Sequence, residues 1–165
     1  MTPHFGPTLR RHAPERVELV VAAEAEHVGA ARSAVVSLAE RAGLPGERRA
    51  DVALAVGEAC ANAVMHAYDG GPPGRLRVVA EVRDSRLEVV VSDGGQGMAP
   101  RPDSPGLGLG LPLMASLASA LELRPAAGGG TEVWLCFELV DRAPAEDPLP
   151  EPLRPDFGGR RKAGS

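Results

Sequence analysis

Residues 52–65 read VALAVGEACANAVM, and the only polar side chains in that run are Glu58 and Asn62. They stand four residues apart, so on a helix they stack on one face, and His66 carries the same stripe one turn further. A helix this apolar is mostly buried, and a carboxylate buried without partners costs on the order of several kcal/mol. One reading makes the stripe the solvent-facing side of an amphipathic helix. The other uses the chemistry of each group. An asparagine carbonyl is a neutral, hard oxygen suited to Mg²⁺ that phosphates already hold. A carboxylate one turn earlier can take a proton from an attacking hydroxyl or water. His66 reads either as a core or capping histidine or as a phosphate contact.

Working outward from this helix, the flanking patterns define an α+β domain. Residues 16–22 form a β-branched run and are expected to be a strand. Residues 27–42 carry apolar positions at helical spacing, and Gly43 with Pro45 ends that helix. The central helix is expected from Glu47 to about Tyr68, closed by Asp69-Gly70-Gly71-Pro72. Leu76–Val82 and Leu87–Ser92 alternate like strands across Asp84-Ser85, the right length for a tight hairpin. A loop rich in glycine and proline follows from Asp93 to Gly110. Pro112 suits the first turn of a third helix reaching about Leu121. A short strand near Glu122–Arg124, a Gly128-Gly129-Gly130 turn and a strand from Thr131 to Leu139 complete the set. In the last strand Val133, Leu135, Phe137 and Leu139 share one face, and Glu132, Trp134, Cys136 and Glu138 the other. Helices on one side of a sheet and water on the other produce this alternation. The order βαα–ββ–α–ββ lacks the regular alternation of a doubly wound fold, and implies a two-layer α/β sandwich.

Composition narrows the function classes. The 165 residues suit one domain, and 44% hydrophobic content supplies a core, which 3% aromatic content restricts to Ala, Val and Leu. A net charge of −4 is the wrong sign for gripping a phosphate backbone, and no direct nucleic-acid role is expected. Cys60 and Cys136 lie in apolar stretches without metal-ligand spacing, as small core residues do in a reducing compartment. No apolar run is long enough to span a membrane and the N-terminus lacks the apolar centre of a signal peptide, so a cytoplasmic protein is expected. The expected boundaries are a disordered tail over 1–15, a folded domain over 16–140 and a proline-rich disordered tail over 141–165. The first tail holds three prolines and the last five.

Three further motifs carry potential chemistry. Asp93-Gly94-Gly95-Gln96-Gly97 directly follows a strand. A carboxylate there can accept the exocyclic amine of adenine while Gly95 and Gly97 let the backbone approach a flat base. An ordinary Asp-Gly turn is the plainer reading, but a loop with three prolines follows in place of a partner strand. Gly106-Leu107-Gly108-Leu109-Gly110-Leu111-Pro112 runs into a helix, where bare backbone N–H groups favour a polyphosphate. Tight packing explains many such loops, and the spacing is neither the Rossmann fingerprint nor the Walker loop. Gly130-Thr131 by itself is a turn entering a strand.

In this order the motifs resemble the asparagine box and the three glycine boxes of the GHKL ATPase superfamily. Residues 57–68, GEACANAVMHAY, and residues 108–114, GLGLPLM, are similar to the anti-sigma-factor serine/threonine kinase family within it. The resemblance covers about residues 16–140 and implies a Bergerat-type ATP-binding fold, a mixed sheet with helices on one face. It implies Glu58 as catalytic base, Asn62 as Mg²⁺ ligand and Asp93 on the adenine amine, with Gly95 and Gly97 lining the base. Gly106, Gly108, Gly110 and Leu111 would wrap the phosphates, and Thr131 would sit beside the adenine. Also implied are the cofactors ATP and Mg²⁺, a homodimer, capture of a sigma factor, and phosphorylation of a serine on a small antagonist protein. Many relatives have an arginine where this chain has Leu109, and one missing cation can cost roughly 10³–10⁵ in phosphoryl-transfer rate. Arg101 in the loop is a candidate replacement. Two other readings are an ATP-binding regulatory module that does not phosphorylate its partner, and the catalytic part of a split histidine kinase, for which no phospho-acceptor helix pair is visible.

Overall fold

The computed structural model describes residues 15–66, 71–95 and 107–139. The tails and the loop between Gly95 and Leu107, including Arg101, lie outside them. Eight elements follow in order: β1 (Arg16–Ala22), α1 (Ala25–Arg41), α2 (Gly46–His66), β2 (Arg75–Arg83), β3 (Arg86–Asp93), α3 (Leu107–Leu117), β4 (Ala120–Pro125) and β5 (Thr131–Glu138). The five strands form one sheet in the order β1-β2-β3-β5-β4.

All four strand pairings are antiparallel, which corrects the expected mixed sheet. The reason is topological. The helical crossover through α3 leaves β3 and β4 pointing the same way, but β5 returns from β4 and inserts between them. No two parallel strands are therefore neighbours.

Local chemistry accounts for the turns. At the end of α1, Gly43 adopts φ +85, its N–H bonds the Glu40 carbonyl at 2.9 Å, and Leu44 N–H bonds the Ala39 carbonyl at 3.0 Å. This is a Schellman closure, with Leu44 buried beneath it and Pro45 preventing continuation. Between β2 and β3, Asp84 and Ser85 have φ 45 and 65, the pair of positive values that a two-residue hairpin needs to match strand twist.

The core lies between the helices and one sheet face. Val35 and Leu38 of α1 and Val52, Val56 and Cys60 of α2 are fully buried, with Leu76, Leu87, Val89, Val91, Leu135 and Phe137 from the strands. Small side chains let α2 lie close to the sheet, as the scarcity of aromatics requires. Both cysteines are free and buried, and burial pushes the Cys60 thiol up to about 12, so it stays protonated. Cys136 points to the open sheet face, in register with Glu88 and Ala120, and is nonetheless buried.

The third helix differs most from expectation. It begins at Leu107 inside the expected loop and ends at Leu117, so Pro112 sits in its middle and Leu121 belongs to β4. Glycine and proline are the poorest helix formers, so local propensity argues against a helix here; packing on α2 overrides it.

Candidate functional site

Two clusters of polar groups lie on the helix-bearing side of the sheet. The first is on α2. Asn62 is 6% exposed and Glu58, one turn earlier, is half-buried. The backbone of α3 lies directly against both. A Cβ placed on Gly110 would stand 3.1 Å from Asn62 Nδ2, 3.5 Å from Glu58 Oε2 and 3.6 Å from Asn62 Oδ1. Asn62 Nδ2 is buried and has no hydrogen-bond partner among the described residues. A buried amide donor left unmade costs about 1–3 kcal/mol, a cost that an arriving acceptor would remove. Glu58 and Asn62 therefore do not form a solvent face. They face the first turn of α3.

The second cluster is at the end of β3. Asp93 is 5% exposed and follows Leu87, Val89 and Val91 on the core side of its strand. Its Oδ1 accepts the Gly95 N–H at 3.0 Å and the Thr131 N–H at 3.3 Å. Two backbone donors on one oxygen offset part of the desolvation of the buried carboxylate and fix its plane. Thr131, 8% exposed, opens β5 at the same place. Asp93 and Gly95 are thus brought into contact with Thr131, 38 residues beyond Asp93.

By its sequence Gly130 belongs to a turn and to the third glycine box, and the structure gives it a larger part. Its φ is +90, and a Cβ there would collide with the Asp93 carbonyl oxygen and come 2.8 Å from Asp93 Oδ1. No side chain fits. The run of three glycines before Thr131 was the available signal, but only the tertiary approach of β5 to β3 says which of them matters.

The other expected residues are placed as follows. His66 is the last residue of α2 and Gly108 lies in the first turn of α3. Leu111 is half-buried and packs against the core. Gly97 and Gly106 lie outside the described residues. The N-terminus of α3, where the first N–H groups have no acceptor within the helix, is suited to an anion. A hard amide oxygen beside a carboxylate, an orphaned amide donor and two glycine approaches fit a nucleotide with a divalent cation.

The profile of the histidine kinase-like ATPase domain matches residues 21–137, which span both clusters. The chain belongs to this family. Among similar proteins of the histidine kinase-like ATPase kind is the serine-protein kinase RsbW of Halalkalibacterium halodurans. It is 34% identical over 135 residues, covering 73% of this chain and 82% of the relative. RsbW of Bacillus velezensis is 34% identical over 127 residues, covering 68% and 79%. In fold, the domain is similar to the crystal structure of the RsbU and RsbW domains of Rv1364c from Mycobacterium tuberculosis, with TM-score 0.60 and 23% identity. That match covers 76% of this chain and 32% of the larger protein. Among the described residues, no helix of this ATPase domain is long and apolar enough to cross a membrane.

Proposed function

We propose that this chain is a cytoplasmic Mg-ATP-dependent serine-protein kinase of the RsbW kind, acting as a homodimeric anti-sigma factor that phosphorylates a small antagonist protein. The observation that carries it is the apposition of Glu58 and Asn62 against the start of α3. A proton acceptor and a hard oxygen ligand here meet the end of a helix that favours phosphate. The serine-protein kinase name of the RsbW relatives supplies the acceptor class.

When bound, ATP supplies the phosphoryl group and Mg²⁺ neutralises charge on it. Every other task falls to the protein. Asp93, its plane fixed by Gly95 and Thr131, accepts the adenine amine. Gly106, Gly108 and Leu111 follow the phosphates with their backbone, and His66 closes the phosphate end. Asn62 offers Oδ1 to the cation. Glu58 takes the proton from the acceptor serine hydroxyl, the role of a positioned carboxylate in general base catalysis. Gly95 and Gly97 leave the base pocket without side chains. With Leu109 in place of the usual arginine, transfer is expected to be slow relative to enzymes that carry that cation.

The test is calorimetric titration with ATP, with and without Mg²⁺, followed by transfer to the antagonist protein. Asp93→Asn is expected to lose most nucleotide affinity, because its amide presents a donor to the adenine amine. Glu58→Gln is expected to bind ATP as before and to lower transfer at least about 10²-fold. Transfer undiminished in Glu58→Gln would remove Glu58 as base. Nucleotide binding without any transfer by the unaltered protein would make it a regulatory module.

A further inference from the structure

We propose that Gly110 is a positioning residue whose task is to leave space for the Asn62 amide and the Glu58 carboxylate, rather than to bend around phosphate. The inference rests on the nucleotide site described above. Three observations carry it. Gly110 is buried inside α3 and is not among the glycines with positive φ, so its backbone conformation does not require glycine. Alanine would be the better helix former there. What alanine meets there is contact: the missing Cβ would fall 3.1 Å from Asn62 Nδ2, close enough that the amide must give way, and 3.5 Å from Glu58 Oε2, at ordinary van der Waals distance, two polar tips held on one face of a buried helix.

The consequence is specific. Asn62 is buried, so its amide has little freedom to withdraw, and its Nδ2 has no partner among the described residues to hold it elsewhere. A methyl at 110 displaces the amide by a few tenths of an ångström. It thereby re-aims Oδ1, the atom offered to the cation. Misaligned ligand support typically lowers metal affinity about 10–100-fold. A glycine needed for close backbone approach to phosphate would instead affect nucleotide binding with or without metal.

The experiment compares the unaltered protein, Gly110→Ala, Asn62→Ala and the double variant. Its readouts are metal-free ATP binding, the Mg²⁺ concentration that half-saturates the ATP complex, and the Asn62 side-chain amide resonance in nucleotide-free protein. Gly110→Ala should move that resonance, leave metal-free ATP binding unchanged and raise the Mg²⁺ requirement about tenfold. In the Asn62→Ala background the same substitution should add nothing, because the displaced group is gone. If Gly110→Ala fails to fold, the double variant should fold, since truncating Asn62 vacates the space. The inference is overturned if the resonance stays in place, if the two effects add, if metal-free binding falls equally, or if the double variant also fails to fold. Failure of the unaltered protein to bind ATP would sink the nucleotide site itself, while the resonance would still report whether position 110 sets the Asn62 amide.

Discussion

At the scale of single residues, the cluster around Asp93 depends on one atom that is not there. Gly130 combines a positive φ with a backbone contact that excludes any side chain, whereas Gly43 has a similar φ of +85 and open space around its missing Cβ. The two positions therefore separate conformational strain from steric exclusion. Gly43→Ala is expected to cost about 1 kcal/mol in urea unfolding. Gly130→Ala should cost at least about 2 kcal/mol, since the clash adds to the strain, and should also weaken ATP binding through Asp93. The opposite ranking would show that β5 does not approach Asp93 as closely as described. Asp93 itself was visible in the sequence as a carboxylate before two glycines. Its pairing with the Thr131 N–H, 38 residues further on, was not, because nothing local links them.

Among the elements, α3 is the one whose sequence and structure disagree. Alternating leucine and glycine from 106 to 111 reads as a loop, and Pro112 as the opening of a helix. The structure starts the helix at Leu107 and keeps Pro112 inside it. Pro112, which is exposed, lacks the N–H that would bond the Gly108 carbonyl. Pro112→Ala is expected to stabilise the domain by roughly 1–3 kcal/mol, read as a higher thermal midpoint. No change, or a loss, would mean that the residues around 107–111 are not helical in solution. By contrast, α1, α2 and the β2–β3 hairpin were legible within a few residues. Each has a stop signal of its own: Gly43 with Pro45, the Asp69-Gly70-Gly71-Pro72 run, and Asp84-Ser85.

For the molecule as a whole, the helix-free sheet face is a lattice of opposite charges around an apolar row. Glu18, Val79, Val90, Trp134 and Glu122 stand in one line across all five strands. Trp134 Nε1 donates to Glu88 at 3.3 Å, and Arg124 lies 5.5 Å from its ring centre. Hydrogen bonds from Arg77, Arg83 and Arg124 hold Glu18, Glu81 and Glu122 below the ordinary glutamate range. A depressed folded-state pKa gives stability that is present above the unfolded value and is lost as pH falls through the folded one. Glu18 and Glu122 are exposed and Glu81 is half-buried beside an exposed arginine, so each contribution is small and sensitive to salt. Urea midpoints should therefore decline below about pH 4.5, and the part of that decline due to these pairs should shrink at high ionic strength. A decline indifferent to salt would assign acid sensitivity to buried groups instead. The sequence alone determined the α+β class, the position of most elements and the identity of Glu58, Asn62 and Asp93, because periodicity, turn chemistry and polar residues in apolar runs are local signals. Only the tertiary structure decided that the sheet is wholly antiparallel, that α3 begins at Leu107, and that Gly110 and Gly130 make room for the site. Those outcomes depend on which surfaces meet across long stretches of chain, and a contact made by the absence of a Cβ leaves no periodic trace.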